Sequence, residues 1–580
     1  MHYPFLRFVL ALVICLVAGV ARANTYEWQR TEQLLRREGL MLAERPEGKR
    51  IAFIRVVRDD VFVKDEIWPT FLSRWFHVKS RDEMVRRELL FAEGGPYRDA
   101  RIEETMRNLR NMSIFALVRI VPVSVPGDPD AVGVLVHTRD IWSLRLETSF
   151  SVTTQIDDLL VRLTETNLLG RNKQVAVDMS MIPKSYTLRE LYAARRVWGS
   201  SISLSESVGI VMNRERNQPE GSTWAFRLSH PYYNLAQKWA WVTSANYDTI
   251  IARRLRQGEV RPWPEPRDDP DGPYARRAWR QRVASGSAVG YLRLGHAYKQ
   301  TWGLGFSYST VAANPIEETM LPPEIAAEFR RRVLPRERKQ LGPTFSYSIG
   351  MPTFKRFENL GTFGQTENVQ IGPRASLGST VPLKAFGSDG DSWVFTSSVG
   401  ATYAPGGFLL EGSLGGRLRY ETRGIVDQRM DVLLRGATPV LFRTFRFVAR
   451  GVLEARKNDT ANTYVTLGAN NGLRGYTSQA IAGVGQSRVL GNFEVRTLPL
   501  EWQAVHVGLV AFYDVGSVFG NVRDLHMNHA VGLGLRVLFP QFNRYPFSFD
   551  GGTSYDPGFR FVPTITSGQV VPLTALEDPD

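Results

Sequence analysis

Leu410-Glu-Gly-Ser-Leu-Gly-Gly-Arg-Leu-Arg-Tyr-Glu421 is the stretch that decides the fold. Leu410, Gly412, Leu414, Gly416, Leu418 and Tyr420 fall on one side of a period-two repeat, and Glu411, Ser413, Gly415, Arg417, Arg419 and Glu421 fall on the other. Period two is a β-strand with one apolar face. Strands of a soluble sandwich are shorter, about 5–6 residues, and seldom carry charge after charge along one side. A membrane-barrel strand runs about 9–11 residues, apolar towards lipid and polar towards a lumen. In lipid such a sheet must close, because an open edge leaves backbone groups unpaired.

The same alternation recurs on either side. Phe445, Phe447, Ala449, Gly451, Leu453 and Ala455 alternate with Arg446, Val448, Arg450, Val452, Glu454 and Arg456. From Val531 to Phe539, Val, Leu, Leu, Val and Phe alternate with Gly, Gly, Arg and Leu. Trp239, Trp241 and Tyr247 suit an interfacial aromatic girdle. Residues 141–571 therefore read as a transmembrane antiparallel barrel with an even strand count. Sixteen strands would use roughly 27 residues each, and fourteen or eighteen remain compatible with the pattern. Two stretches exceed hairpin length and read as loops, Arg253 to Arg282 and Ala313 to Gln340, the second with a helix around Pro323 to Val333. No segment after residue 23 is apolar enough for a membrane helix.

The chain begins as a secretory signal does. Phe8 to Val20 is an apolar or small run, too short for a bilayer, and Ala21-Arg22-Ala23 gives the small-x-small cleavage pattern at the end of residues 1–23. Cys15, the one cysteine, lies inside that run, which excludes disulfides and thiolate metal sites from the remainder. The net charge is +14, or +12 without Arg7 and Arg22, and is spread along the chain. An exported, evenly basic chain suits anionic lipid and not nucleic acid.

Residues 24–140 carry a different pattern. Trp28 to Leu42 reads as an amphipathic helix, and Ile51 to Val57 as a strand. An aromatic-rich connection follows, with Trp68, Phe71, Trp75 and Phe76. Ser80 and Glu83 have capping-box spacing, and Gly94-Gly95-Pro96 ends the helix they open. Ile102, Met106, Leu109 and Met112 mark one face of a second helix. Strands near Phe115 to Val125 and Val132 to Thr138 flank a turn at Gly127-Asp128-Pro129-Asp130. The order is β-α-α-β-β.

That order resembles a polypeptide-transport-associated (POTRA) domain. The stretches RRELLFAEGGPY (Arg86 to Tyr97) and NLRNMSIFALVRIVP (Asn108 to Pro122) look like its helix-to-glycine turn and its run from second helix into second strand. In the barrel, Asn167-Leu168-Leu169-Gly170-Arg171 resembles an early-barrel turn of BamA-like proteins. Arg474-Gly475-Tyr476 resembles the sixth-loop motif, and Phe512-Tyr513-Asp514-Val515-Gly516 resembles the Phe-x-Asp-x-Gly strand. In this order the motifs resemble the BamA/TamA outer-membrane protein assembly superfamily over nearly all of the chain after residue 23. The resemblance implies a sixteen-stranded outer-membrane barrel with its POTRA-like domain in the periplasm. Its implied partners are the lipid bilayer, unfolded outer-membrane or exported clients, and periplasmic accessory proteins. Two features depart from the family: there is room for one POTRA-like unit only, and the last strand, read at Phe559 to Val571 with Pro563 inside it, is followed by a tail at 572–580.

The same alternation turns Asn492, Glu494 and Arg496 inward, together with His506, Phe512, Asp514 and Gly516. Arg474, on a Gly-flanked loop, is a fitting guest for Asp514 and Glu494, since guanidinium and carboxylate pair through two parallel hydrogen bonds. The resemblance implies that this contact pins the loop in the lumen.

Enzyme chemistry has no foothold. There is no Gly-x-Ser-x-Gly elbow, no His-Glu-x-x-His and no phosphate-binding loop. His526 and His529 lie near Asp524 but lack an evident third ligand, so no metal or cofactor is expected. The expectation is insertion or translocation of client proteins. The alternatives are a dedicated secretion pore for one partner, or a passive or structural barrel.

Overall fold

The computed structural model of the chain describes residues 26–61, 77–152, 156–256, 259–264, 274–316, 321–363, 366–477, 480–484, 486–502, 505–543, 545–554, 561–567 and 569–573. The expected signal, the aromatic connection after Val61 and the tail beyond Leu573 lie outside them.

The N-terminal unit comprises helix Tyr26–Arg37, strand Arg50–Asp59, helices Asp82–Arg87 and Asp99–Arg110, and strands Phe115–Ser124 and Ala131–Asp140. Ala131–Asp140 is central, parallel to Arg50–Asp59 and antiparallel to Phe115–Ser124. Ile102, Met106, Leu109 and Met112 are all buried against Ile51, Val85 and Val132 on one face of the sheet. Leu34 and Leu35 of the first helix cover the other face at Val121, Val123 and Leu135. His137 ties that helix to the sheet: Nδ1 lies 3.1 Å from the Thr31 hydroxyl and Nε2 lies 2.8 Å from Asp59 Oδ2. Burial pushes the Asp59 carboxyl up, but the hydrogen bond and charge of His137 outweigh it and hold the group below its ordinary range. The capping box at Ser80 does not form. Arg81 is the N-cap of Asp82–Arg87, and Ser80 is diverted, its amide donating to Asp140 Oδ2 at 2.6 Å.

Beyond this unit the chain makes one closed antiparallel barrel, from Leu144–Val152 to Phe561–Ser567. Among the described residues it has twenty strands, where sixteen were expected. Two strands are interrupted, Arg338–Gly350 with Thr353–Glu358 and Ser487–Thr497 with Leu500–Trp502, because Pro352 and Pro499 bring no amide hydrogen to the ladder. Tight connections account for the extra strands. Pro183-Lys184 alone joins Lys173–Ile182 to Ser185–Ala194, and Thr422-Arg423 joins Leu409–Glu421 to Gly424–Ala437.

The barrel is inside-out relative to a soluble protein. Leu292, Trp302, Tyr347 and Leu377 are consecutive register partners and make an apolar row across four strands on the outside. In the opening stretch, Leu410, Leu414 and Tyr420 are exposed while Glu411 and Arg419 are buried inward. A wall of this kind is stable only against lipid.

Successive turns alternate between the two ends of the barrel. The N-terminal unit docks at one end. Asn167 Nδ2 donates to Ser80 Oγ at 2.9 Å, the Arg81 amide to the Gly170 carbonyl at 3.0 Å, and Asn108 Nδ2 to the Tyr233 carbonyl at 2.8 Å. Across the mouth, Thr366 Oγ1 donates to Glu27 Oε2 at 3.3 Å and Arg356 pairs with Glu103. The long connections gather at the far end. They are shorter than expected, because strands Trp239–Arg253, Ala278–Leu294 and Lys299–Pro315 run further, and the second connection holds helix Pro323–Arg332. Buried Arg254 donates to the carbonyls of Val333 at 2.8 Å and Asn462 at 2.6 Å, joining three loops into a cap. The last strand ends at Ser567, short of the expected Val571.

Candidate functional site

Loop 458–486 leaves strand Phe445–Lys457 at the far end and folds back into the barrel. A short hairpin, Tyr464–Leu467 with Ile481–Val484, forms its stem. Its tip turns on Gly472 and Gly475, at φ 106° and 82°, a region where a Cβ is strained. At Gly475 a Cβ would also meet the Thr553 amide nitrogen and Ala530 Cβ at 3.0 Å. Leu467, Leu473 and Tyr476 pack on Leu490 and Ala530 of the wall, and the Tyr476 hydroxyl donates to the His529 carbonyl at 3.3 Å.

These turns deliver Arg474, 1% exposed, to the lumenal wall. Its Nε and Nη2 donate to Asp514 Oδ2 and Oδ1 at 2.7 and 2.9 Å, the two-pronged geometry that only arginine provides. Its amide donates to the same carboxylate at 3.2 Å. Nη1 lies 2.7 Å from Glu494 Oε1 and 3.5 Å from Asp550 Oδ2. The guanidinium stacks 3.7 Å from the centre of the Phe512 ring. Asn492 Nδ2 bridges loop and wall, donating to the Gly472 carbonyl at 2.7 Å and Asp514 Oδ1 at 2.8 Å.

The structure brings Arg474, Gly475, Tyr476, Glu494 and Asp514 together. Gly516 also faces inward, one register step further. It makes room: a Cβ there would come within 2.5 Å of Leu467 Cδ2 and 3.0 Å of the Val489 carbonyl. Sequence reasoning turns Arg496 inward but misses its pairing, and it misses Arg536 and Asp550. Arg496 Nε donates to Glu494 Oε2 at 2.7 Å. Arg536 grips Asp550 through Nη1 at 2.7 Å and Nη2 at 3.2 Å. Three guanidiniums thus balance three carboxylates, all buried. Such a cluster survives desolvation only because nearly every partner is in place. The signal that could have found Arg536 was present, since it alternates with the outward leucines of its strand. Asp550 sits in the short, glycine-rich strand Phe547–Ser554, where alternation is hard to read.

The arrangement contains no nucleophile beside a base. Among the described residues no group of three or more His, Cys, Asp or Glu side chains is placed to hold a metal. His529 instead faces the Tyr513 hydroxyl at 2.7 Å from Nδ1. What the cluster does physically is hold a loop from the far end inside the barrel.

Fold and site together define a large antiparallel membrane barrel with a lumenal arginine loop and an α/β unit at one mouth. No protein-family model and no curated protein matches the sequence. Among solved structures, the chain is similar to BamA from Haemophilus ducreyi lacking POTRA domains 1-3, at 11% identity and a TM-score of 0.35, covering 89% of this chain and 84% of that one. It is similar to CdiB from Escherichia coli at 11% identity and a TM-score of 0.43, covering 91% and 80%. The siderophore receptor PirA from Pseudomonas aeruginosa overlaps at 9% identity and a TM-score of 0.31, covering 78% and 87%.

Proposed function

We propose that this chain is an outer-membrane insertion or translocation factor for unfolded client proteins, with residues 24–140 acting as a single POTRA-like unit in the periplasm. The observation that carries this is the barrel seam. First and last strands meet at one register pair among the described residues, Ile565 with Phe150, whereas the other neighbouring strands share runs of partners. A weakly paired seam opens at small cost and offers a free edge on which an incoming strand can form. The filled lumen argues against a passive pore, and the edge strand Arg50–Asp59 gives the periplasmic unit a second surface for client pairing. The partners on this reading are the bilayer, the clients and periplasmic accessory proteins.

Depletion followed by outer-membrane proteomics tests it. Loss of many barrels supports insertion, and loss of one exported protein supports a dedicated transporter. An unchanged membrane proteome refutes both.

A further inference from the structure

Past the last strand, the described residues 569–573 do not continue the barrel wall. Gln569 to Leu573 turn into the lumen at the mouth that carries the α/β unit. Three arginines on three different strands hold them. Arg536 Nε donates to Gln569 Oε1 at 3.1 Å, Arg496 Nη2 to the Val571 carbonyl at 2.6 Å, and Arg435 Nη1 to the Pro572 carbonyl at 3.3 Å. Val571 and Leu573 are fully buried among Phe357, Leu360, Leu409, Ala437 and Val448. Pro572, between them, brings no amide hydrogen that would need a partner.

Two kinds of recognition are combined here. The contacts of Arg435 and Arg496 read backbone carbonyls, which every peptide has. The apolar sockets read two side chains two positions apart, seated by a backbone that bends at Val570 and Val571. An apolar groove with a few placed polar groups is the general form of a binding site.

We propose that this lumenal groove is a binding site for short peptide segments with two apolar residues two positions apart, and that Gln569–Leu573 is its resident ligand. The identity of the exchanging ligand, a client segment arriving from the side of the α/β unit, rests on the function proposed above. Occupancy of the groove does not. The resident has the advantage of tethering, which gives it a high effective concentration. Its tether is strand Phe561–Ser567, the strand at the weak seam, so movement of the seam pulls directly on the resident. Arg496 also holds Glu494, which pairs with Arg474, so the groove and the loop site share one residue.

The test uses the full chain in detergent micelles, with Leu573→Cys labelled by a maleimide; Cys15 is the only native cysteine. The probe is the synthetic pentapeptide Gln-Val-Val-Pro-Leu, and its control carries Asp at the third and fifth positions. Labelling should be slow in the resting protein and accelerate on the order of tenfold with the apolar peptide only. A second variant, Val571→Asp with Leu573→Asp, vacates the groove without shortening the chain. It should bind the fluorescent apolar peptide about a hundredfold more tightly than the parent, because two buried apolar anchors of the competitor are gone. Fast labelling without peptide, or equal peptide binding by parent and vacated variant, overturns the proposal. Peptide binding with no client insertion would refute the proposed function and leave the groove standing; insertion without peptide binding would refute the groove alone.

Discussion

Replacing Arg474 with Ala leaves Asp514, Glu494 and Asp550 facing only Arg496 and Arg536, a net negative charge in a site that water does not reach. Removing one partner of a buried ion pair costs about 3–5 kcal/mol, far above the 0–1 kcal/mol of an exposed pair. The lost stacking on Phe512 acts in the same direction. The effect falls on loop docking, not on the wall, whose strand ladders do not involve Arg474. Hydrogen exchange across residues 458–486 should therefore accelerate by about two to four orders of magnitude, the factor that about 3–5 kcal/mol represents. Migration in detergent gels should stay that of a folded barrel. Arg474→Lys should recover only part of the protection, because lysine cannot make the two-pronged contact. Asp514→Ala combined with Arg474→Ala leaves Arg496 and Arg536 opposite Glu494 and Asp550, which restores charge balance. The double variant should thus fall short of additivity by about 0.5–3 kcal/mol. Strict additivity in that cycle, or unchanged exchange in Arg474→Ala, would refute the reasoning.

Gly475→Ala should loosen the same loop by about 1–3 kcal/mol through its positive φ and the Thr553 contact, and Gly516→Val should expel Leu467; protease sensitivity of the loop reports both. Because the barrel satisfies its own backbone, unboiled and boiled samples should migrate differently, and identical migration of a soluble protein would contradict the membrane wall. The segment Asn24 to Asp140 should fold without lipid and show mixed helix and strand by circular dichroism. Its Asp59 carboxyl has a lowered pKa, so the folded state gains stability above the unfolded value of about 3.9 and loses it as pH falls through the lower folded value. Asp59→Asn should flatten that acid limb of the melting curve.

The barrel was legible because alternation is a local property: in Leu410 to Glu421 every second residue lies outside, as period two requires. Strand number was not legible. Counting depends on turns, and connections as short as Pro183-Lys184 leave little punctuation between apolar runs. Glu494 and Asp514 could be assigned faces from alternation, and their meeting with Arg474 followed from a resemblance rather than from spacing. Asp550 and Arg536 were out of reach as partners, because no local pattern tells which inward carboxylate meets which inward guanidinium across the lumen. The segment Gln569 to Leu573 misled for a related reason. Val570, Val571 and Leu573 are equally apolar whether they face lipid or a lumenal groove, and only the three-dimensional wall separates the two.

The central claim is that client strands form at an opening seam. Phe150→Cys with Ile565→Cys places two cysteines opposite each other at the one seam register pair among the described residues, where antiparallel partners lie at a separation a disulfide can span. The measurement is insertion of an unfolded eight-stranded barrel into liposomes containing the oxidised or the reduced double variant. The account predicts that oxidation stops insertion while the factor itself remains a folded, heat-modifiable barrel, and that reduction restores it. Equal insertion rates in the oxidised and reduced states would contradict it.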